Sequence, residues 1–191
     1  MLYEQARKLA TDRPVVHGNG FIQVWVGKGV RLHVWHPDCP KMEPYVGVHD
    51  HRFSFTSKII RGRVVNRTWD ADADGTAYDI LTPGTGSEED SWRLYSTGLM
   101  CSLTNGHEDA YGEGWEYNVS IGQIHDGFAH TPMAATLMRV TGRDCDHKVR
   151  VLCPVGLRYH HEFKRDAFEV DWLWTMIKEV LMSPPMKERR P

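Results

Sequence analysis

Phe21-Ile22-Gln23-Val24-Trp25-Val26, Gly27-Lys28-Gly29 and Val30-Arg31-Leu32-His33-Val34-Trp35 follow one another without interruption: two runs rich in β-branched and aromatic residues around a glycine-bearing turn. This predicts a β-hairpin, because branched and aromatic side chains pack well on a pleated surface and glycine supplies the reversal. The same texture continues to about Pro154. Further strands are expected at 46–60 and 63–69, with Arg61-Gly62 at the bend between them, and at 92–95, 98–104, 116–121, 128–130, 135–141 and 149–155. The segment 70–90, rich in Asp, Gly and Thr, reads as a solvated excursion around a weak strand at 78–81.

Many short strands with turn signals between them, and no alternation of strand and helix, predict a mainly all-β sandwich or barrel. Helices are expected only at the ends. Residues 2–10 read as a short helix ended by Asp12, Arg13 and Pro14. After Arg165, Phe168, Val170, Trp172, Leu173, Ile177, Val180 and Leu181 fall largely at helical spacing, with Asp166 as N-cap, a stop at Pro184-Pro185 and fraying beyond Lys187. At 191 residues the chain suits a single domain: an N-terminal helix over 1–14, a β-barrel over 15–160 and a C-terminal helix over 161–185.

Composition narrows the function. A formal net charge of -2 leaves no basic footprint, so nucleic acid is not expected as a partner. Four cysteines without a Cys-x-x-Cys pair point to reduced thiols rather than a zinc ribbon or redox motif. The charged N-terminus carries no signal-like apolar core, and no apolar run is long enough to span a bilayer. A cytoplasmic protein without membrane contact is expected. Exposed sheet edges make a homodimer plausible.

The chemistry sits in Val48-His49-Asp50-His51 and Gly122-Gln123-Ile124-His125. In an extended segment residues i and i+2 face the same way, so His49 and His51 can present two imidazoles to one ion while Asp50 faces away. A third imidazole from His125 completes the set. Neutral imidazole suits several transition metals, so the ligands alone do not name the ion.

These two segments resemble the two signatures of the cupin superfamily. In the first, H-x-H is followed by a glutamate and then a glycine; here Phe55 stands at the glutamate position and Gly62 at the glycine. In the second, G-x5-P-x-G-x2-H-x3-N, the chain supplies Gly114, Gly122 and His125 at the required spacing, with Ser120 at the proline and Ala129 at the asparagine. The glycines make sense as tight turns entered at positive φ. A site of three histidines without the glutamate keeps the full charge of its metal and one more position for substrate. Within the superfamily that departure is similar to the thiol dioxygenases, and the likeness covers roughly 21–140.

The resemblance implies a cupin-type double-stranded β-helix, or jelly-roll barrel, and a non-haem iron(II) oxygenase acting on a small substrate such as a thiol, with dioxygen as co-substrate. Its metal ligands would be His49, His51 and His125, with Fe(2+) first and Zn, Mn or Ni as alternatives. Gln23 is the counterpart of the family's carboxylate-binding residue. Where the family carries a histidine and a tyrosine beyond the third ligand, this chain has Met138 and Val140, and Thr56 stands near the place of a crosslinking cysteine. Tyr117 is the aromatic expected to donate a proton or orient dioxygen. Arg139 is the preferred anion clamp, ahead of Arg52 and Arg63. Two rival readings remain: a non-catalytic ligand-binding cupin module, and a zinc- or manganese-dependent isomerase or hydrolase. His130 is assigned a plain hydrogen-bonding role. His33, His36, His107, His147, His160 and His161 are taken as surface or structural, and most tryptophans as core.

Overall fold

A computed structural model describes residues 1–41, 47–84, 91–159, 162–165 and 167–184. Two antiparallel sheets with a short helix near each end make up the described chain, as the strand texture predicts. The first sheet runs β1 (Val15–His17), β2 (Phe21–Trp25), β3 (Val30–Trp35), β9 (Ala134–Arg143), β4 (Phe53–Arg61), β7 (Glu116–Val119) in spatial order. The second is ordered β10 (Val151–Pro154), β5 (Val64–Pro83), β6 (Ser91–Tyr111), β11 (Glu162–Lys164), and β8 (His125–Ala129) also pairs with β5.

Alternation decides which side chains reach the interior. On β3, Leu32 and Val34 join the apolar layer under the helices, whereas Arg31, His33 and Trp35 face the opposite way, into the space between the sheets. On β2, Ile22 and Val24 lie in the helix-side layer, and Phe21 and Gln23 point inward. The inward layer of β4, β7 and β9 is aromatic and aliphatic: Phe55, Ile59, Tyr117, Val119 and Met138 pack together there.

Helix α1 (Tyr3–Leu9) and helix α2 (Val170–Met182) cover the outer face of the first sheet. Leu173, Ile177, Val180 and Leu181 repeat at helical spacing and are all but fully buried, each contributing about 1.5–3 kcal/mol of burial. The α2 N-cap is Glu169; Asp166, His160, His161, the stop at Pro185 and the tail from Lys187 lie outside the described residues.

Several strand boundaries differ from the sequence reading. The expected excursion at 70–90 is instead strand as far as Pro83, since β5 and β6 form one long hairpin whose register slips between Ala71 and Thr76. Asp70 is exposed while its backbone pairs with Thr104, whereas Asp72 and Asp74 lie in a solvated bulge over 72–75, since Ala71 and Thr76 both face Leu103. Residues 85–90 lie outside the described residues. Strand β4 begins at Phe53, not at 46, and the expected strands at 92–95 and 98–104 are parts of β6. Strands β1 and β11 are short additions that the pattern did not reveal.

Candidate metal centre

His49 lies outside the long strands and is held by isolated bridges to His125 on one side and Val151 on the other. The amides of His49 and His125 each donate to the other's carbonyl at 2.9 Å, which fixes the two ligand segments in register. The Leu152 amide donates to Val48 O at 2.8 Å and the Asp50 amide to Arg150 O at 3.0 Å. Asp50 faces away from His49 and His51, as i+1 geometry requires. Its fully buried carboxylate accepts from the Arg150 amide (2.7 Å), Arg150 Nε (2.6 Å) and His147 Nε2 (3.0 Å). Arg150 also donates to Gly122 O at 3.2 Å, and the Gly122 amide donates to His51 O at 3.0 Å. One buried carboxylate therefore ties both histidine segments together from behind.

The signature glycines stand where the chain turns. Gly62, Gly114 and Gly122 adopt φ of 67°, 86° and 72°, the left-handed region that glycine enters at least cost. At Gly62 a Cβ would collide with the Met133 carbonyl and the Thr131 hydroxyl, so bare backbone is required at the β4 bend.

The structure brings His49, His51 and His125 together: their candidate ligand atoms all lie within 4.8 Å of one another. His51 Nε2 and His125 Nε2 stand 3.1 Å apart. Two nitrogens bound at about 2.1 Å to one ion, near a right angle, would be separated by about 3 Å, so this spacing fits a shared metal. The remaining ring nitrogens agree. His125 Nδ1 is 2.9 Å from Asn66 Oδ1, an acceptor, so it carries the proton and Nε2 keeps its lone pair. His49 Nδ1 likewise donates to Gly47 O. Burial holds the imidazoles of His51 and His125 well below the usual histidine range, and that of His49 below it, which favours the neutral form a metal needs. The three-histidine group could thus hold a metal ion.

Phe55 sets an apolar ring beside the cluster. Its centroid lies 5.3 Å from that of His51 and 5.9 Å from that of His125. The cavity above the cluster measures about 70 Å³, room for about two waters at roughly 30 Å³ each.

The other predicted residues divide. Gln23 and Tyr117 line the cavity. Burial pushes the Tyr117 phenol up to about 12, despite a hydrogen bond with Ser57 that acts the other way. Met138 lines the same wall and Val140 packs against its apolar layer. Arg139 does not join them. It sits between Met138 and Val140 on β9, so alternation turns it to the opposite face, where it is exposed. Arg52, Arg63 and His130 are exposed as well.

Sequence reasoning missed part of the cavity. His17, Asn19, Arg31 and Trp35 line it, and so does His33, which is a lining residue and not a remote structural one. The signal was available in β3, where Arg31, His33 and Trp35 alternate with Val30, Leu32 and Val34. His36 and His147 are structural, as expected: His36 Nε2 meets Glu179 at 2.9 Å, and His147 meets Asp50. Trp174 is core and Trp115 is exposed.

No family model matches the chain, and no curated protein matches it. Among the described residues no helix is long and apolar enough to cross a membrane. The four cysteines are free.

Proposed function

We propose that the protein is a metal-dependent oxygenase of cupin type, using iron(II) held by His49, His51 and His125 to oxidise a small molecule with dioxygen. The observation that carries this reading is the convergence of three neutral imidazoles, two of them 3.1 Å apart, at the base of an aromatic-walled cavity with no carboxylate ligand among the described residues. Three neutral ligands leave an ion's charge uncompensated and its other positions open, which suits binding of an anionic chelator together with a gas molecule. Iron would supply the one-electron chemistry that dioxygen requires.

The chain's own residues supply the setting. Phe53, Phe55 and Met138 give the cavity apolar walls beside the histidines. Gln23 offers an amide to orient substrate from β2. Tyr117, protonated across the ordinary pH range, offers a phenolic O–H to a bound anion or oxygen atom. The test is to reconstitute the protein anaerobically with iron(II), add small thiols and carboxylic acids, and follow oxygen uptake and the substrate-induced spectrum. Uptake that is lost in His51→Ala is expected. Neither uptake nor a spectral change with any compound would leave a binding module as the better reading.

A further inference from the structure

Aromatic contact does not stop at the cavity wall. Phe55, beside the histidine cluster, has its centroid 6.4 Å from that of Tyr117, and the Tyr117 ring lies 5.0 Å from that of Tyr111 at an interplanar angle of 33°. Tyr111 ends β6 and packs against the apolar layer that holds Phe55, Tyr117 and Met138. Alternation sets residues 107, 109 and 111 on one side of β6, and their polar ends meet there. The Tyr111 hydroxyl donates to Asp109 Oδ2 at 3.1 Å, and His107 Nε2 stands 3.0 Å from the same oxygen. The His107 side chain is 74% exposed, so a series of contacts that begins at the histidine cluster ends in solvent. Burial, and then the Asp109 carboxylate, push the Tyr111 phenol above its ordinary range, so the ring keeps its proton and has a base in contact to receive it. A phenol loses an electron far more readily when its proton can move at once to a hydrogen-bonded base. Tyr111 has that base, whereas the Tyr117 hydroxyl is paired with Ser57, a poor proton acceptor.

We propose that Tyr111 is a one-electron outlet for the histidine site, losing its electron inward across the Tyr117 and Phe55 rings and its proton outward to Asp109. The outlet rests on the oxygenase reading above for its oxidant, which is derived from dioxygen at the three histidines; the redox activity of Tyr111 itself does not. In the step, the oxidant gains one electron and the Tyr111 O–H bond breaks. The proton forms the O–H bond of the Asp109 carboxylic acid, and a neutral phenoxyl radical is left. A thiolate from solution then returns the electron, leaving as a thiyl radical, and the proton passes back from Asp109 to the phenoxyl oxygen. Met138 lines the cavity, and its thioether is the group that an unspent oxidant would otherwise attack. The outlet therefore serves turnovers in which oxygen is activated without substrate.

Two arms on the full chain separate the outlet from the metal reading. In the first, metal-free protein is oxidised by azide radicals in pulse radiolysis, and the resting tyrosyl radical is followed by absorbance and electron paramagnetic resonance. Tyr111→Phe is expected to remove most of the tyrosyl signal, and Asp109→Asn to slow its appearance about tenfold or more. In the second, iron(II)-loaded protein is mixed with hydrogen peroxide in the absence of substrate and frozen, and Met138 oxidation is read by mass spectrometry. Wild type is expected to show the same radical, and Tyr111→Phe to lose it and to gain Met138 sulfoxide several-fold. Circular dichroism verifies the fold of each variant. A metal-free Tyr111→Phe with the wild-type tyrosyl yield, an Asp109→Asn radical formed as fast as in wild type, or equal Met138 oxidation with and without the Tyr111 hydroxyl overturns the proposal. A Tyr111 radical in the first arm, with neither radical nor Met138 oxidation in the second, would instead count against the metal reading alone.

Discussion

His49 and His125, 76 positions apart in the chain, exchange both backbone hydrogen bonds at 2.9 Å, so the pair that brings two ligands together is itself a rung of sheet. The imidazoles converge because the backbones are already paired, and a metal would add to that arrangement without having to create it. Metal-free protein is therefore expected to retain its fold. Far-ultraviolet circular dichroism should be unchanged after chelation, with only the unfolding midpoint lowered, as expected when a ligand of the native state is removed.

Asp50 is the residue whose loss should cost most behind the site. Replacing it with alanine leaves Arg150 and His147 without their shared acceptor and is expected to destabilise the fold by about 2–4 kcal/mol. The half-exposed Arg150 can recover some hydration, which places the expectation below the range for a fully buried pair. Urea denaturation of Asp50→Ala measures it. Asp50→Asn, which keeps an acceptor, should lose less.

Asn66→Leu should leave the fold nearly intact while releasing His125 Nδ1. Loss of such a partner behind a metal-bound histidine weakens metal binding about 10- to 100-fold, and competition with a chromogenic chelator would read that shift. An unchanged affinity would mean that Asn66 does not orient the ring.

Acid should destabilise the protein through its buried imidazoles. Burial and the nearby Arg31 lower His33 from 6.5 to about 3 in the folded state, so between those values the unfolded chain binds more protons than the native one. Stability contributed by neutral His33 is then fully present above about pH 6.5 and is lost as pH falls toward 3. Urea midpoints at a series of pH values should decline over that window. His33→Gln should flatten the decline in part, since His17, His51 and His125 act in the same direction.

Gly62→Ala should cost more than Gly122→Ala. Both positions have positive φ, worth about 1–2 kcal/mol for an L side chain. At Gly62 the new methyl also strikes backbone, whereas at Gly122 it comes within 3.2 Å of the His147 ring, which can shift. Thermal unfolding of the two variants would rank them.

The histidine cluster and the all-β class are legible because each rests on local pattern: alternation in 21–35, paired histidines, and glycines at turns that do adopt positive φ. What was not legible depends on the opposite face of a strand or on pairing at a distance. Place in the chain favours Arg139, yet one step of alternation puts it outside while Met138 goes in. A polar residue within a hydrophobic run looks solvent-facing, as the surface or structural reading of His33 shows, whereas here the second face of β3 meets a polar cavity. The β5–β6 hairpin was obscured by acidic side chains, which describe the solvent side of a ladder whose hydrogen bonds are carried by the backbone.

The central claim is that three histidines share one ion. Elemental analysis of the protein purified without added metal, repeated on His49→Ala and His125→Ala, tests it most directly. Stoichiometric metal in the wild type and its loss in both variants is the predicted result. Metal retained in both folded variants, or none taken up by the wild type when iron(II) or zinc is offered, would contradict it.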